Sequence, residues 1–302
     1  MQMKDLIQNL VSGASVGCTY GLMGLGVVFL WQSIRRINFA NITPSMVAAY
    51  VFYILYSRLG LSFVPSLLGT ISVVVVYGLG LRFLIYEEIK KHSGGRLEFV
   101  VATLMLCTLF LNLMIVFFGS LPRPFPPVFG KPTDFVSLFG VSISVVYVYI
   151  FAIVAILVGF LYFFLNKTLV GKCLKAFAQN EEAAILMGVN VNLMRSISFV
   201  LSAVVVGIAG ILLAPIYFVS LELGGGTIGV KGFASAVLAG LVNPYGAILG
   251  GICIGLIENF SAMFISSTYK DVFAFLILIT VLLVKPSGIF VGKLQRRTEE
   301  AG

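Results

Sequence analysis

The sequence predicts an all-α fold, a polytopic bundle of transmembrane helices, and three observations carry that prediction. Hydrophobic residues make up 59% of the 302-residue chain and charged residues only 11%, against about 25% charged in a typical soluble domain. Mean hydropathy is +1.07. The apolar residues fall in long runs separated by short polar stretches. Charge is this scarce when hydrocarbon is the solvent, because an ionised group left in it is costly. At about 20 residues per span, about eight to nine membrane segments fit and no large soluble domain remains. Residues 1–302 therefore read as one transmembrane domain. The net charge of +8 does not call for nucleic acid, because the basic residues sit at the ends of the runs, where membrane orientation places them.

The first run, about 10–31, carries small residues on several faces, among them Gly13, Gly17, Gly21 and Gly24. Small residues let helices approach closely in lipid, so this span packs against neighbours. It stops at Arg35 and Arg36. The second run, about 42–56, is shorter and is introduced by Asn38, Asn41, Thr43 and Pro44. These polar groups either serve the passage of a polar solute or cap the helix beginning near Pro44. A third span is expected at about 61–85, a polar loop at 86–98 and a fourth span at 99–118. Five prolines (Pro122, Pro124, Pro126, Pro127, Pro132) then exclude regular helix from the loop at about 119–140. The fifth and sixth spans are expected at about 141–165 and 197–219.

Between them lies the one long polar-flanked stretch, and a helix at about 175–190 is expected there. Asn180 is a cap, Glu181 and Glu182 occupy the first turn, and Gly188 stops it. Its apolar side, with Ala183 and Ala184 followed by Ile185 to Met187, is too short to cross a membrane. Such a helix either fits a groove on another protein or only joins two spans.

The region 224–264 holds two apolar stretches interrupted by Asn243-Pro244-Tyr245-Gly246. With the capped stretch in the cytoplasm, Arg35, Arg36, Arg82, Lys90, Lys91, Arg96, Lys167, Lys172, Lys175 and Arg195 all lie there. The proline loop is then outside with Arg123 and Lys131, as the positive-inside bias requires. Bringing the basic tail (Lys293, Arg296, Arg297) back inside needs two passages, so a broken or re-entrant helix pair is expected near 228–260, turning at 243–246. Broken helices are tolerated where they are buried or line a cavity. The last span is expected at about 272–284.

Chemistry is sparsely supplied. HExxH and the phosphate-loop lysine motif are absent from the sequence, and the GxSxG spacing at 13–17 falls inside a long apolar run rather than at a strand-to-helix turn, which argues against an enzyme and against ATP hydrolysis by this chain. Four scattered cysteines show neither disulfide nor metal-ligand spacing, so no metal site or resident cofactor is expected. Glu258, with Asn259 beside it, is the acid set within a strongly apolar run. An intramembrane acid is a functional candidate by default; the alternative is a structural partner for Lys231, Lys270 or a helix terminus. Lys231 either attracts a substrate carboxylate or snorkels to the interface.

Ala183-Ala184 followed by Gly188-Val189-Asn190 and an apolar span resembles the coupling loop of permease subunits of bacterial ABC importers, and more narrowly those of the branched-chain amino acid type. Four further stretches are similar to family stretches in the family's order: Ile37-Asn38-Phe39-Ala40, the run 229–234, Tyr269-Lys270-Asp271 and the run 285–289. The resemblance covers nearly the whole chain. It implies that Glu181, Glu182, Ala183, Ala184, Gly188 and Asn190 contact an ATP-hydrolysing subunit. It also implies a multi-pass protein of the bacterial inner membrane, in contact with lipid. The expected partners are two cytoplasmic ATP-binding subunits carrying the ATP and Mg, a second permease (the same chain or a homologue) and an external solute-binding protein. The alternative class is a stand-alone channel or an ion-coupled secondary transporter. Two departures stand out: Thr43-Pro44 where relatives have His-Gly, and Gln179-Asn180 where acids are frequent.

Overall fold

The computed structural model describes residues 3–92, 95–130, 134–138, 141–285 and 288–289. Lys131 and Pro132 of the proline loop, Pro286 and Ser287, and the basic tail Lys293, Arg296 and Arg297 lie outside the described residues. Seven of the described helices are long and apolar enough to cross a membrane. They are α1 (Met3–Ile34), α2 (Thr43–Tyr53, extended at both ends to Phe39–Arg58), α3 (Phe63–Gly80, continued by a π-helical turn and α4, Glu87–Lys91), α5 (Arg96–Phe118), α6 (Val145–Lys167), α9 (Val191–Tyr217) and α11 (Pro244–Phe264). Between α6 and α9 stand two short helices, α7 (Leu169–Gln179) and α8 (Glu181–Leu186). Two sub-length helices complete the bundle, α10 (Thr227–Leu238) and α12 (Lys270–Val284). Their 12 and 15 residues give lengths of about 18 and 22 Å at 1.5 Å per residue.

The amino-terminal helix is the axis of the bundle. In α1, 94% of the most apolar window is buried, against 11% in α5 and 22% in α6. Polar or small residues permit this position. Gly13, Gly17 and Gly21 of α1 face Gly251 and Gly255 of α11 so closely that a Cβ on Gly17 would stand 2.7 Å from the carbonyl oxygen of Gly251. A Cβ on Gly251 would collide with the backbone of Gly17 and Gly21. Lipid tails are as apolar as leucine, so helices associate in a membrane through such close packing rather than through hydrophobic burial. α5 and α6, with their exposed leucines, valines and aromatics, form the outer wall.

Four sequence expectations need correction. The polar loop expected at 86–98 is helical as far as Lys91, because Glu87 pairs with Arg82 and Glu88 with Lys91 at one helical turn. The proline loop at 119–140 runs into an antiparallel hairpin, β1 (Phe135–Leu138) with β2 (Val141–Ser144). The alternating Val141-Ser142-Ile143-Ser144 suits a strand, so the fifth span starts at Val145 rather than 141. The single helix expected at 175–190 is two helices, because Thr168 caps α7 and Asn180 opens a second one. The turn expected at 243–246 falls earlier, at 239–243. Asn243 caps α11 with Pro244 in its first turn, so the expected pair is a half-helix followed by a full span.

The glycine seam yields a test. Gly251→Ala should lower stability by about 1–3 kcal/mol through overpacking, whereas Gly159→Ala, where an added Cβ meets nothing within 4 Å, should be tolerated. Thermal unfolding in detergent reads both; equal midpoints for the two variants would contradict the packing described.

Candidate functional site

The capped stretch between the fifth and sixth long spans is built by three successive side-chain caps. Thr168 Oγ1 accepts from Gly171 N (3.1 Å), Asn180 Oδ1 from Ala183 N (2.9 Å) and Asn190 Oδ1 from Leu193 N (3.1 Å). Each cap satisfies an orphan amide at a helix start. Gly188 ends α8 with φ +80°, a conformation that costs a side-chain-bearing residue energy. Its amide donates to Ile185 O and that of Val189 to Ala184 O. One side of α8 is fastened, with Ala184 only 2% exposed. The other projects Ile185, Leu186 and Met187, of which Leu186 is 89% exposed. Glu182 also lies on the exposed side.

Arg195 fixes this knob to the bundle. It is 2% exposed, although its place near a span end marks it from sequence alone as a solvated cytoplasmic cation. Its Nη2 donates to Glu181 Oε1 at 2.7 Å, and Nη1 lies 4.0 Å from Glu87 Oε1. The guanidinium also stands 5.3 Å from the Tyr86 ring centroid and 5.8 Å from that of Phe177. One buried cation thus joins α8, α9, α7 and the end of the third span. The linear sequence hides this junction, because Glu87, Glu181 and Arg195 meet only in the tertiary fold.

At the opposite end of the bundle the charged residues gather into a closed cluster. Glu258 lies 2.8 Å from Lys231 and 3.0 Å from Lys270, one carboxylate oxygen for each. Tyr20 and Tyr217 donate to the same two oxygens at 3.0 and 3.2 Å. Lys231 also reaches Asp271 at 2.5 Å. Two cations and two carboxylates balance, and Glu258 has neither oxygen open to a ligand. Glu258 thus pairs with both Lys231 and Lys270. Lys231 does not snorkel: it is 2% exposed, held inward by Glu258 and Asp271. The cluster pins the half-helix α10 to α11 and α12. Asn259 stands apart, its Nδ2 donating to Ser12 of α1.

Asn38, Asn41 and Thr43 are buried at the start of the second span, and none of them caps it. The residue preceding α2 is Ile42, and no side-chain cap hydrogen bond forms there or at Asn38. Asn41 Oδ1 accepts from Ser202 at 2.8 Å. Among the described residues, both amide atoms of Asn38 and Nδ2 of Asn41 have no partner. The two asparagines line a cavity of about 10 Å³ together with Leu30 and Phe233, at the edge of what one water needs. A buried amide without a partner is costly, about 1–3 kcal/mol. The sequence-derived site residues therefore separate into four places: the α8 knob, the start of the second span, the ion cluster, and Asn259 against Ser12 of α1.

The family model described as "Branched-chain amino acid transport system / permease component" matches residues 9–282. The high-affinity branched-chain amino acid transport system permease protein BraD of Pseudomonas aeruginosa is 31% identical over 295 residues, covering 94% of this chain and 95% of that one. The corresponding permease LivH of Escherichia coli K12 is 27% identical over 298 residues, covering 95% and 96%. The ribose import permease RbsC of Haemophilus influenzae is 24% identical over 277 residues, covering 89% and 79%.

The closed cluster makes a stability prediction. Removing one partner of a buried pair costs about 3–5 kcal/mol, while replacing both by apolar groups costs far less. Lys231→Met and Glu258→Leu should each lower the unfolding midpoint of purified protein sharply, and the double variant by less than their sum. Strictly additive losses would show that the two charges are not coupled.

Proposed function

Since the chain belongs to the family of branched-chain amino acid transport permeases, and is thus a multi-pass inner-membrane transport subunit, we propose that it works within an ATP-driven importer with α8 as its coupling helix. In this reading two cytoplasmic subunits bind and hydrolyse ATP with Mg, a second permease (identical or homologous) completes the pathway, and an external binding protein delivers the solute. The chain itself carries no cofactor and no ATPase chemistry; the work enters through contact.

The observation that supports this most is the form of α8, a six-residue helix with a fastened inner side and an exposed apolar outer one. Such a helix suits insertion into a groove on a partner. Glu181, Glu182, Ala183 and Ala184 form it, Gly188 ends it, and Asn190 caps the α9 start that follows. Force applied to Leu186 and Met187 passes through the Glu181–Arg195 pair to α9, and through Glu87 to the third span. When the nucleotide-binding pair closes, α9 and the third span shift together and open the pit at Asn38 and Asn41. ATP biases this equilibrium only through its different affinity for the two states.

The pit suits a small amphipathic solute. Asn38 and Asn41 offer donors and acceptors for an amino acid's polar end, Leu30 and Phe233 offer apolar contact for its side chain, and Thr43 begins the helix that follows. Lys231, Glu258 and Asn259 then act in the framework around the pathway.

Leu186→Asp and Glu182→Lys alter exposed positions, so folding should survive. Uptake into proteoliposomes containing the assembled transporter should fall by roughly tenfold or more, the scale of about 1.4 kcal/mol or more lost at the docking contact, while membrane insertion is unchanged. A stand-alone channel or ion-coupled carrier predicts unchanged uptake in both variants and uptake without the ATPase, and either result would defeat the proposal.

A further inference from the structure

A second cavity shares no lining residue with the asparagine pit. It is a cleft of about 740 Å³ at the α8 end of the bundle, between the end of α1, the α6–α7 junction, α9 and the turn leading into α11. Its volume lies within the range of small-molecule sites, about 300–1,000 Å³.

The lining has a polar, cationic part and an apolar part. Arg35 and Lys175 supply two cations, and neither is in an ion pair among the described residues. Arg35 Nη2 donates to Ala178 O, and Lys175 Nζ to Asn166 Oδ1, which leaves most of their donors unused. Ser33 also lines the cleft. It is 7% exposed and its hydroxyl has no partner among the described residues. Phe177 and other apolar side chains make the remaining wall. No acidic residue lines the cleft, so an amino acid's ammonium would find no counter-charge there. The chemistry that fits is an anionic head on an apolar body.

The rim points to where such a molecule comes from. Tyr245 stands at the edge with Tyr162 of α6 beside it, ring centroids 5.9 Å apart. Beyond it the outer face of α6 exposes Phe160 and Phe163. Aromatic pairs of this kind mark the headgroup level of a bilayer, and basic pockets between transmembrane helices on the cytoplasmic side bind anionic headgroups. We propose that this cleft holds the headgroup and upper acyl region of an anionic phospholipid from the leaflet on the α8 side. Its assignment to the cytoplasmic leaflet rests on the orientation in the proposed function. Because α7 contributes Lys175 and leads directly into α8, an occupied cleft braces the docking helix against α1. Anionic lipid then becomes a regulator of coupling.

The test uses the assembled importer, permease with its ATPase subunits, delipidated in detergent and incubated with phosphatidylglycerol or phosphatidylcholine. Native mass spectrometry counts retained lipid. The wild type should keep phosphatidylglycerol in preference to phosphatidylcholine. The Arg35→Gln/Lys175→Gln variant should bind it roughly thirtyfold more weakly, as expected for two cations lost near the surface. Lys172→Gln, an exposed cation of α7 outside the cleft, should match the wild type and controls for the loss of a nearby cation that does not line it. Equal retention by the double variant overturns the inference. So does displacement of the lipid by inorganic phosphate or by leucine at concentrations that do not disturb the fold, since either would name a soluble ligand instead. Retention is read without transport: an importer that keeps its lipid yet ignores changes in α8 retains this site and loses the coupling role, and the reverse result does the opposite.

Discussion

The bundle depends on the backbone-to-backbone contact of α1 with α11. Hydrocarbon supplies no reward for burying an apolar side chain against another, so these helices hold through dispersion at short range and that needs glycine on both faces. Gly13, Gly17 and Gly21 recur every four residues in α1, and Gly251 and Gly255 answer them in α11. With this seam closed, α10 can lie against both helices, Ser235 reaching Tyr20 O at 2.9 Å. The seam therefore sets the positions of Tyr20 and Glu258 at one end of the bundle and of the α11 amino terminus at the other.

The two ends are held differently. At one end Glu258, Lys231, Lys270 and Asp271 form a closed, neutral cluster whose groups satisfy one another, and rigidity is its physical consequence. At the other end a single guanidinium holds α8, with two acids that are less buried than itself. In the proposed coupling, fewer bonds and more solvent at these acids make it the end that yields to an applied load. Near the end of α1, both side-chain amide atoms of Asn38 and Nδ2 of Asn41 have no partner among the described residues.

Much of this was legible in the sequence, for identifiable reasons. Hydropathy finds the spans because lipid enforces composition, and Asn180 and Gly188 mark the ends of α8 because they act on neighbours within a few residues. What stayed hidden is non-local. The central place of α1 follows from which helix answers its glycines, over two hundred positions away. The inward hold on Lys231 comes from Asp271 and Glu258 on two other helices, and burial of Arg195 comes from the third span. Local rules also misjudged lengths: the hairpin before Val145 and the helical turn through Lys91 both continue past points where polarity suggested a break.

The central claim is that α8 is a lever seated on a nucleotide-hydrolysing partner. Its most direct test is a cysteine at position 186, in a background lacking the native cysteines, cross-linked within the assembled transporter. The account requires the product to join the permease to the ATPase subunit, with a yield that changes when a non-hydrolysable ATP analogue is added. A residue 186 that reacts freely with an impermeant external thiol reagent, and never with the ATPase subunit, would contradict it.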